Sequence, residues 1–197
     1  MLTLENCHNK NMFHKIKLII KKALASVGLY HPSLRIKISS KAKALMLLEY
    51  KTPALKILIE TGTEYGTMID MVGAHFEKIY SIELNHELYQ KACEHYSGQS
   101  NITLLYGDSA VEIGKVLQQI VEPSLFWLDA HPSGDITADN APIIHELEAI
   151  FNHRVKKHMI LIDDARKFNL ATISKIKNLA KMNGYKFRIK EGIFLLS

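Results

Sequence analysis

Six carboxylates stand where apolar runs end: Glu60 in LKILIET, Glu83 in KIYSIEL, Asp108 after ITLLYG, Asp129 in LFWLDA, and Asp163 with Asp164 in HMILIDD. An ionised carboxylate accepts hydrogen bonds through two oxygens, so it suits paired hydroxyls or an amino group. Three carboxylates held close together repel unless they are protonated, separated or neutralised by a cation. Oxygen ligands alone suit Mg²⁺, Ca²⁺ or Mn²⁺. His131, two residues past Asp129, adds an imidazole. It could remove a proton near neutral pH, ligate a metal, or merely bond the loop backbone.

These chemistries require the residues to be brought together, and the pattern between them supplies the means. The apolar runs alternate with helical stretches at Met68 to Phe76, His86 to Tyr96, Ala110 to Val121, Ala141 to Phe151 and Thr172 to Asn183. Such alternation predicts an α/β, Rossmann-like three-layer sandwich around a mostly parallel, seven-stranded sheet. Each acid falls at or just after the carboxyl end of its strand, which is where open α/β sheets bind ligands. The last segment, YKFRIKEGIFLLS, reads as two short strands meeting at Glu191-Gly192, so one late strand is expected to run antiparallel. Lys41 to Tyr50 reads as a helix closed by Thr52-Pro53. The expected division is a basic helical arm over residues 1–50, packed on a domain of residues 51–197.

The first loop of that domain lies in ILIETGTEYGTMI, Ile57 to Ile69. Gly62 and Gly66 let the chain turn sharply and present backbone N–H groups to a ligand at a helix start. The diphosphate-binding pattern G-x-G-x-x-G is absent, and Glu64, in place of the middle glycine, would repel a diphosphate. S-adenosylmethionine is an adenosine cofactor without phosphates, and its sulfonium is a cation. It fits such a loop, with Glu60 holding its amino group directly or through water. A tight structural turn in another α/β fold fits the loop equally. Tyr65 either covers a cofactor or packs on a helix. Glu83 stands 17 residues after Gly66, placed to accept both ribose hydroxyls, as in NAD and S-adenosylmethionine sites alike. Asp108 is placed to accept from an adenine amino group, with the Ser109 N–H beside the ring. It is also an N-cap for the helix from Ala110, and the two roles are compatible.

Taken in order, IETGTEYG, YSIEL, YGDS, FWLDAH and LIDDAR resemble the motifs of class I S-adenosylmethionine-dependent methyltransferases. They are nearest to a bacterial branch with E-T-G-T, F-W-L-D-x-H and L-I-D-D-A-R signatures. The resemblance spans Leu55 to Phe168 and departs from the E-x-G-x-G-x-G pattern at Glu64. It implies a cofactor site made of Glu60, Gly62, Thr63, Tyr65, Gly66, Glu83, Asp108, Ser109 and Asp129. An acid after strand four and an acid pair after strand five are similar to metal-dependent O-methyltransferases acting on catechols and antibiotic sugars. This implies Asp129, Asp163 and Asp164 as ligands of Mg²⁺ or another divalent cation, with His131 and Asp129 as catalytic residues. The implied reaction is O-methylation of a small-molecule hydroxyl, of sugar or natural-product type. A non-catalytic adenosine-binding domain is the competing reading. An NAD enzyme and a metal-dependent hydrolase are disfavoured, the first by the missing glycine pattern, the second because it leaves Glu60, Glu83 and Asp108 unexplained. Arg166 either pairs with the neighbouring acids or holds an acidic group on the substrate.

Composition bounds the partners. The net charge is +5, but the basic residues crowd between Lys10 and Lys56, where Glu49 is the one acid. That is unlike the basic stripes of a nucleic-acid-binding body. Within MFHKIKLIIKKALASVGLY, apolar residues at helical spacing alternate with lysines. Such a helix can lie on an anionic membrane surface or pack on its own domain. No apolar run reaches the ~18 residues that span a bilayer. The N-terminus lacks the order of a secretory signal, and Cys7 and Cys93 are far apart. A cytoplasmic protein with reduced thiols that acts on a small molecule and can pair as a homodimer is the expectation.

Overall fold

Successive residues of a strand face opposite sides of a sheet, and here each side meets its own core. Leu58, Ile79, Leu125, Trp127 and Leu161 enter one core with Met46, Leu47, Met68 and Val72. Ile59, Ile82, Phe126, Leu128 and Ile160 enter the other with Ile113, Leu147, Ile150 and Ile176. Trp127 is thus a core side chain. In the computed structural model, which describes residues 37–129 and 142–197, the result is a sheet covered on both faces. His131 and the basic stretch from Phe13 to Leu24 lie outside the described residues.

The chain runs through α1 (Ser40–Tyr50), β1 (Ile57–Thr61), α2 (Thr67–Val72), β2 (Lys78–Glu83), α3 (His86–His95), β3 (Ile102–Tyr106), α4 (Ser109–Leu117) and β4 (Leu125–Leu128). From residue 142 onward come α5 (Pro142–Asn152), β5 (Met159–Ile162), α6 (Leu170–Met182), β6 (Phe187–Lys190) and β7 (Ile193–Leu196). The strand order is β3-β2-β1-β4-β5-β7-β6. β1 to β5 pair in parallel, while β7 runs antiparallel to both β5 and β6. The expected α/β sandwich, with seven strands and one antiparallel strand near the C-terminus, is what the chain forms. Glu191 and Gly192, both at positive φ, make the turn between β6 and β7.

The order reverses between β1 and β4, since the chain moves outward from β1 to β3 and then returns to the other side for β4 and β5. A crevice opens at such a switch point, outside the carboxyl ends of the strands. Ladder hydrogen bonds continue past the strand ends and fix the loops there. Gly62 N–H donates to Ile82 O at 2.9 Å, Gly107 N–H to Glu83 O at 3.0 Å, Asp129 N–H to Thr61 O at 3.0 Å, and Asp163 N–H to Leu128 O at 3.0 Å. The strand-end acids are therefore set by sheet register and not by flexible loops. Among the described residues no helix is long and apolar enough to cross a membrane.

His158, before β5, shows how a lone histidine can be structural. It is buried, its Nδ1 accepts from Ser124 N–H at 3.1 Å, and its Nε2 lies 3.0 Å from Val155 O.

Candidate active site

Above the switch point lies a cleft of about 860 Å³, large enough for a nucleoside-sized ligand with room beside it. Its walls differ in charge. Glu64, Glu83, Asp108 and Ser109 line it over β1, β2 and β3, while Lys37, Lys43, Asp129, Asp164, Arg166 and Lys167 line it over β4 and β5.

The acidic wall is built from turns. Gly62 and Gly66 have φ of 88° and 73°, and Glu64, between them, has φ of 49°. A left-handed conformation costs a residue with a Cβ roughly 1–2 kcal/mol, so the loop folds as the glycine pattern demands although Glu64 stands in it. The Glu83 carboxylate braces this turn. Its Oε2 accepts from Glu64 N–H and its Oε1 from Asn85 N–H, each at 2.8 Å. Remaining lone pairs are available to hydroxyls. Asp108 Oδ1 accepts from Ala110 N–H at 3.0 Å and caps α4, and Asp108 still lines the cleft. Asn85 caps α3 in the same way.

Beneath the turn, Ser81 Oγ donates to Glu60 Oε2 at 2.7 Å and sits 2.7 Å from Thr63 Oγ1. Glu60 is 2% exposed. Burial pushes its carboxyl up to about 8; Ser81 opposes this, and the charges of Asp129 and Glu83 add to it. Among the expected cofactor residues, Gly62, Glu83, Asp108, Ser109 and Asp129 line the cleft; Glu60, Thr63, Tyr65 and Gly66 do not. Each has a physical reason. Glu60 and Thr63 point into the Ser81 network under the loop. Tyr65 is 74% exposed and lines a separate hollow of about 200 Å³. Gly66 is covered by Tyr96, whose hydroxyl donates to Gly66 O at 3.0 Å and Asp70 Oδ1 at 2.8 Å.

That cover makes Gly66 a fold residue with a measurable signature. A Cβ there would lie 2.1 Å from Tyr96 Oη, on backbone already left-handed. Gly66→Ala is expected to cost at least about 2 kcal/mol in urea denaturation. In a Tyr96→Phe background, which removes the colliding oxygen, the loss should shrink.

At the other end, the acids after β4 and β5 meet cations from the chain. Lys43, on α1, ion-pairs with Asp163 Oδ2. Asp164, itself left-handed at φ 47°, receives Arg166 Nε at 3.1 Å, Arg166 Nη2 at 3.2 Å and Lys167 Nζ at 3.0 Å. Burial pushes Asp163 up, the Asp129 charge adds to this, Lys43 opposes it, and the carboxyl ends at about 6. Burial also pushes Asp164 up, but Arg166 and Lys167 outweigh it and hold the carboxyl at about 2. The Mg²⁺ expectation is revised on this geometry. Among the described residues no three His, Cys, Asp or Glu side chains converge to hold a metal ion. Asp163 is buried under Lys43 and Asp164 is engaged by two cations, so this donor set does not fit a divalent ion. Arg166 takes the ion-pairing role, facing the cleft as it does so.

Sequence reasoning missed three residues. Ser81 is the polar residue inside the apolar run KIYSIEL, in register with Glu60. Glu146 is an acid on the apolar stripe of Ile143, Leu147 and Ile150, a spacing that predicts burial; it is fully buried. Lys43 carries no such signal, being one lysine among many on a helix that precedes the sheet.

No protein-family model matches the sequence, and no curated protein does. Solved structures do. Precorrin-6y C5,15-methyltransferase of Geobacter metallireducens is similar at TM-score 0.58 and 11% identity, over 82% of this chain and 88% of that one. A Staphylococcus aureus protein proposed to be a caffeoyl-CoA O-methyltransferase is similar at TM-score 0.58 and 13% identity, over 95% and 97%. Human N-acetylserotonin methyltransferase, solved in complex with S-adenosylmethionine, is similar at TM-score 0.51 and 16% identity, over 79% and 51%. At such identities the likeness shows a shared Rossmann-like fold.

Proposed function

We propose that this chain is an S-adenosylmethionine-dependent methyltransferase that methylates a small-molecule hydroxyl. One observation carries the reading: Glu83, at the carboxyl end of β2, is 7% exposed, braced by two backbone N–H groups, and lines the cleft beside Asp108 and Ser109. A fixed carboxylate in that position suits paired ribose hydroxyls. The acidic wall of Glu64, Glu83 and Asp108 opposes a diphosphate and accepts a sulfonium cation. The resemblance of the strand-end motifs and the folds of the similar methyltransferases support the same cofactor.

The residues divide the work. Glu83 holds the ribose. Asp108, with Oδ1 spent on the cap of α4, offers Oδ2 to the adenine amino group, with Ser109 beside the ring. Asp129 stands where the cofactor end of the cleft meets its basic end. The acceptor enters over β4 and β5. Its oxygen forms the new O–CH₃ bond as the S–CH₃ bond breaks, the sulfur keeps that electron pair, and the hydroxyl proton leaves to a base, for which His131 is proposed. Rate acceleration comes from holding the two reactants in line.

The test needs no acceptor. S-adenosylhomocysteine and S-adenosylmethionine are expected to raise the melting temperature, and NAD is not. No rise with either sulfur compound at about a hundred times a micromolar dissociation constant, where linkage requires roughly 2.7 kcal/mol of stabilisation, would overturn the reading.

A further inference from the structure

We propose that Lys43 occupies the cation position of the Asp129, Asp163 and Asp164 cluster, so that the site polarises its acceptor with an ammonium group of the chain and takes no divalent metal. The acceptor half of this statement rests on the methyltransferase reading; the metal half does not.

The position of Lys43 is built, not incidental. Ser39 caps α1, its side chain accepting from Ala42 N–H at 3.2 Å. Ala44, Met46 and Leu47 anchor the helix in the core shared with Leu58 and Trp127. The helix is thereby locked with Lys43 facing the strand ends. Asp163, its partner, is 2% exposed, whereas Lys43 borders the open cleft with Asp129 and Asp164. Lys43 therefore stands between a buried carboxylate and the space an acceptor would enter. Asp129 and Asp164 act on it too, both favouring its charged form.

A divalent ion at this cluster would have to displace the ammonium from the buried carboxylate of Asp163. Separating a part-buried ion pair costs more than separating an exposed one. The chain has thus set its own cation against the buried carboxylate of Asp163, with the charges of Asp129 and Asp164 acting on the same ammonium. An ammonium carries three N–H donors, and the bond to Asp163 uses one. A donor turned to the cleft can hold the acceptor oxygen and stabilise the negative charge it gathers as its proton leaves.

Mn²⁺ titration followed by loss of the free-ion electron paramagnetic resonance signal tests this without any substrate. Lys43→Gln and Lys43→Met each remove the charge and keep a side chain of similar length. Both are expected to take up one Mn²⁺ per chain at least about tenfold more tightly than the wild type, equivalent to about 1.4 kcal/mol. Lys43→Arg should stay like the wild type, and adding Asp163→Asn to Lys43→Gln should abolish the uptake. Equal uptake by wild type and Lys43→Gln, or no uptake by either neutral variant, overturns the proposal. The wild-type titration can do so alone, if the protein binds one Mn²⁺ that Asp163→Asn removes. S-adenosylhomocysteine titration of the same proteins keeps the two readings apart. Its failure in the wild type would reject the cofactor and leave the metal result standing.

Discussion

Glu83→Gln is expected to weaken S-adenosylhomocysteine binding by roughly a hundredfold, on the order of two charge-assisted hydrogen bonds at 1.5–3 kcal/mol each, discounted for partial solvation. The side chain is poised for this because both oxygens are already fixed, Oε2 by Glu64 N–H and Oε1 by Asn85 N–H. An amide offers one accepting oxygen, so its NH₂ must face one of two backbone donors. The variant therefore loses the ribose interaction and loosens the turn that carries Gly62. Isothermal titration calorimetry measures the first effect, and the melting temperature of the unliganded protein measures the second. Glu83→Asp, which keeps the charge and retracts it by one methylene, should fall between. A Glu83→Gln protein that binds within threefold of wild type would remove the ribose role from this residue.

Glu146→Gln is expected to stabilise the unliganded protein at pH 8 by roughly 2–3 kcal/mol more than at pH 5. Glu146 is 0% exposed, and neither carboxyl oxygen makes a hydrogen bond. Burial pushes its carboxyl up to about 7; the hydroxyls of Ser109 and Thr61 lie close enough to ease ionisation without reaching bonding geometry, and the charges of Asp108 and Asp129 oppose it. At pH below the ordinary carboxylate value the folded and unfolded chains are both protonated there, and the group's contribution is complete. As pH rises to about 7, the folded chain retains a proton that the unfolded chain has lost, so stability falls. Above that the contribution is constant. A glutamine cannot ionise and removes this slope. Glu60, pushed up to about 8, gives a slope of the same sign in both proteins, so the difference isolates Glu146. Urea denaturation at the two pH values decides it; parallel pH profiles would mean that Glu146 ionises normally.

The sheet and the acidic wall were legible because both follow from short-range pattern. A strand buried on both faces is a continuous apolar run, and its carboxyl end is marked by the first polar residue, as at Glu83 and Asp129. Register then does the rest, bonding Asp129 to Thr61 and Asp163 to Leu128. The loop residues were harder. Pattern places Glu60 and Thr63 at the right strand end but does not say which way they turn, and Ser81, one strand over, draws both below the cleft. The carboxylate cluster was legible in its need for a cation and illegible in the source. Lys43 and Asp163 are 120 residues apart, and no periodicity in α1 distinguishes Lys43 from Lys41. Only the docking of α1 on the core supplies that information. Glu146 was visible in principle, since its spacing puts it on the buried stripe of α5.

Glu64 holds a backbone shape made for glycine, and the codons of glutamate and glycine differ at a single base. A substitution at that position would meet a loop already folded to receive it, with strain relieved and a negative charge withdrawn from the cleft wall. The phosphate discrimination proposed for this loop would then be an easily reversed trait, open to selection in either direction without rebuilding the fold that surrounds it.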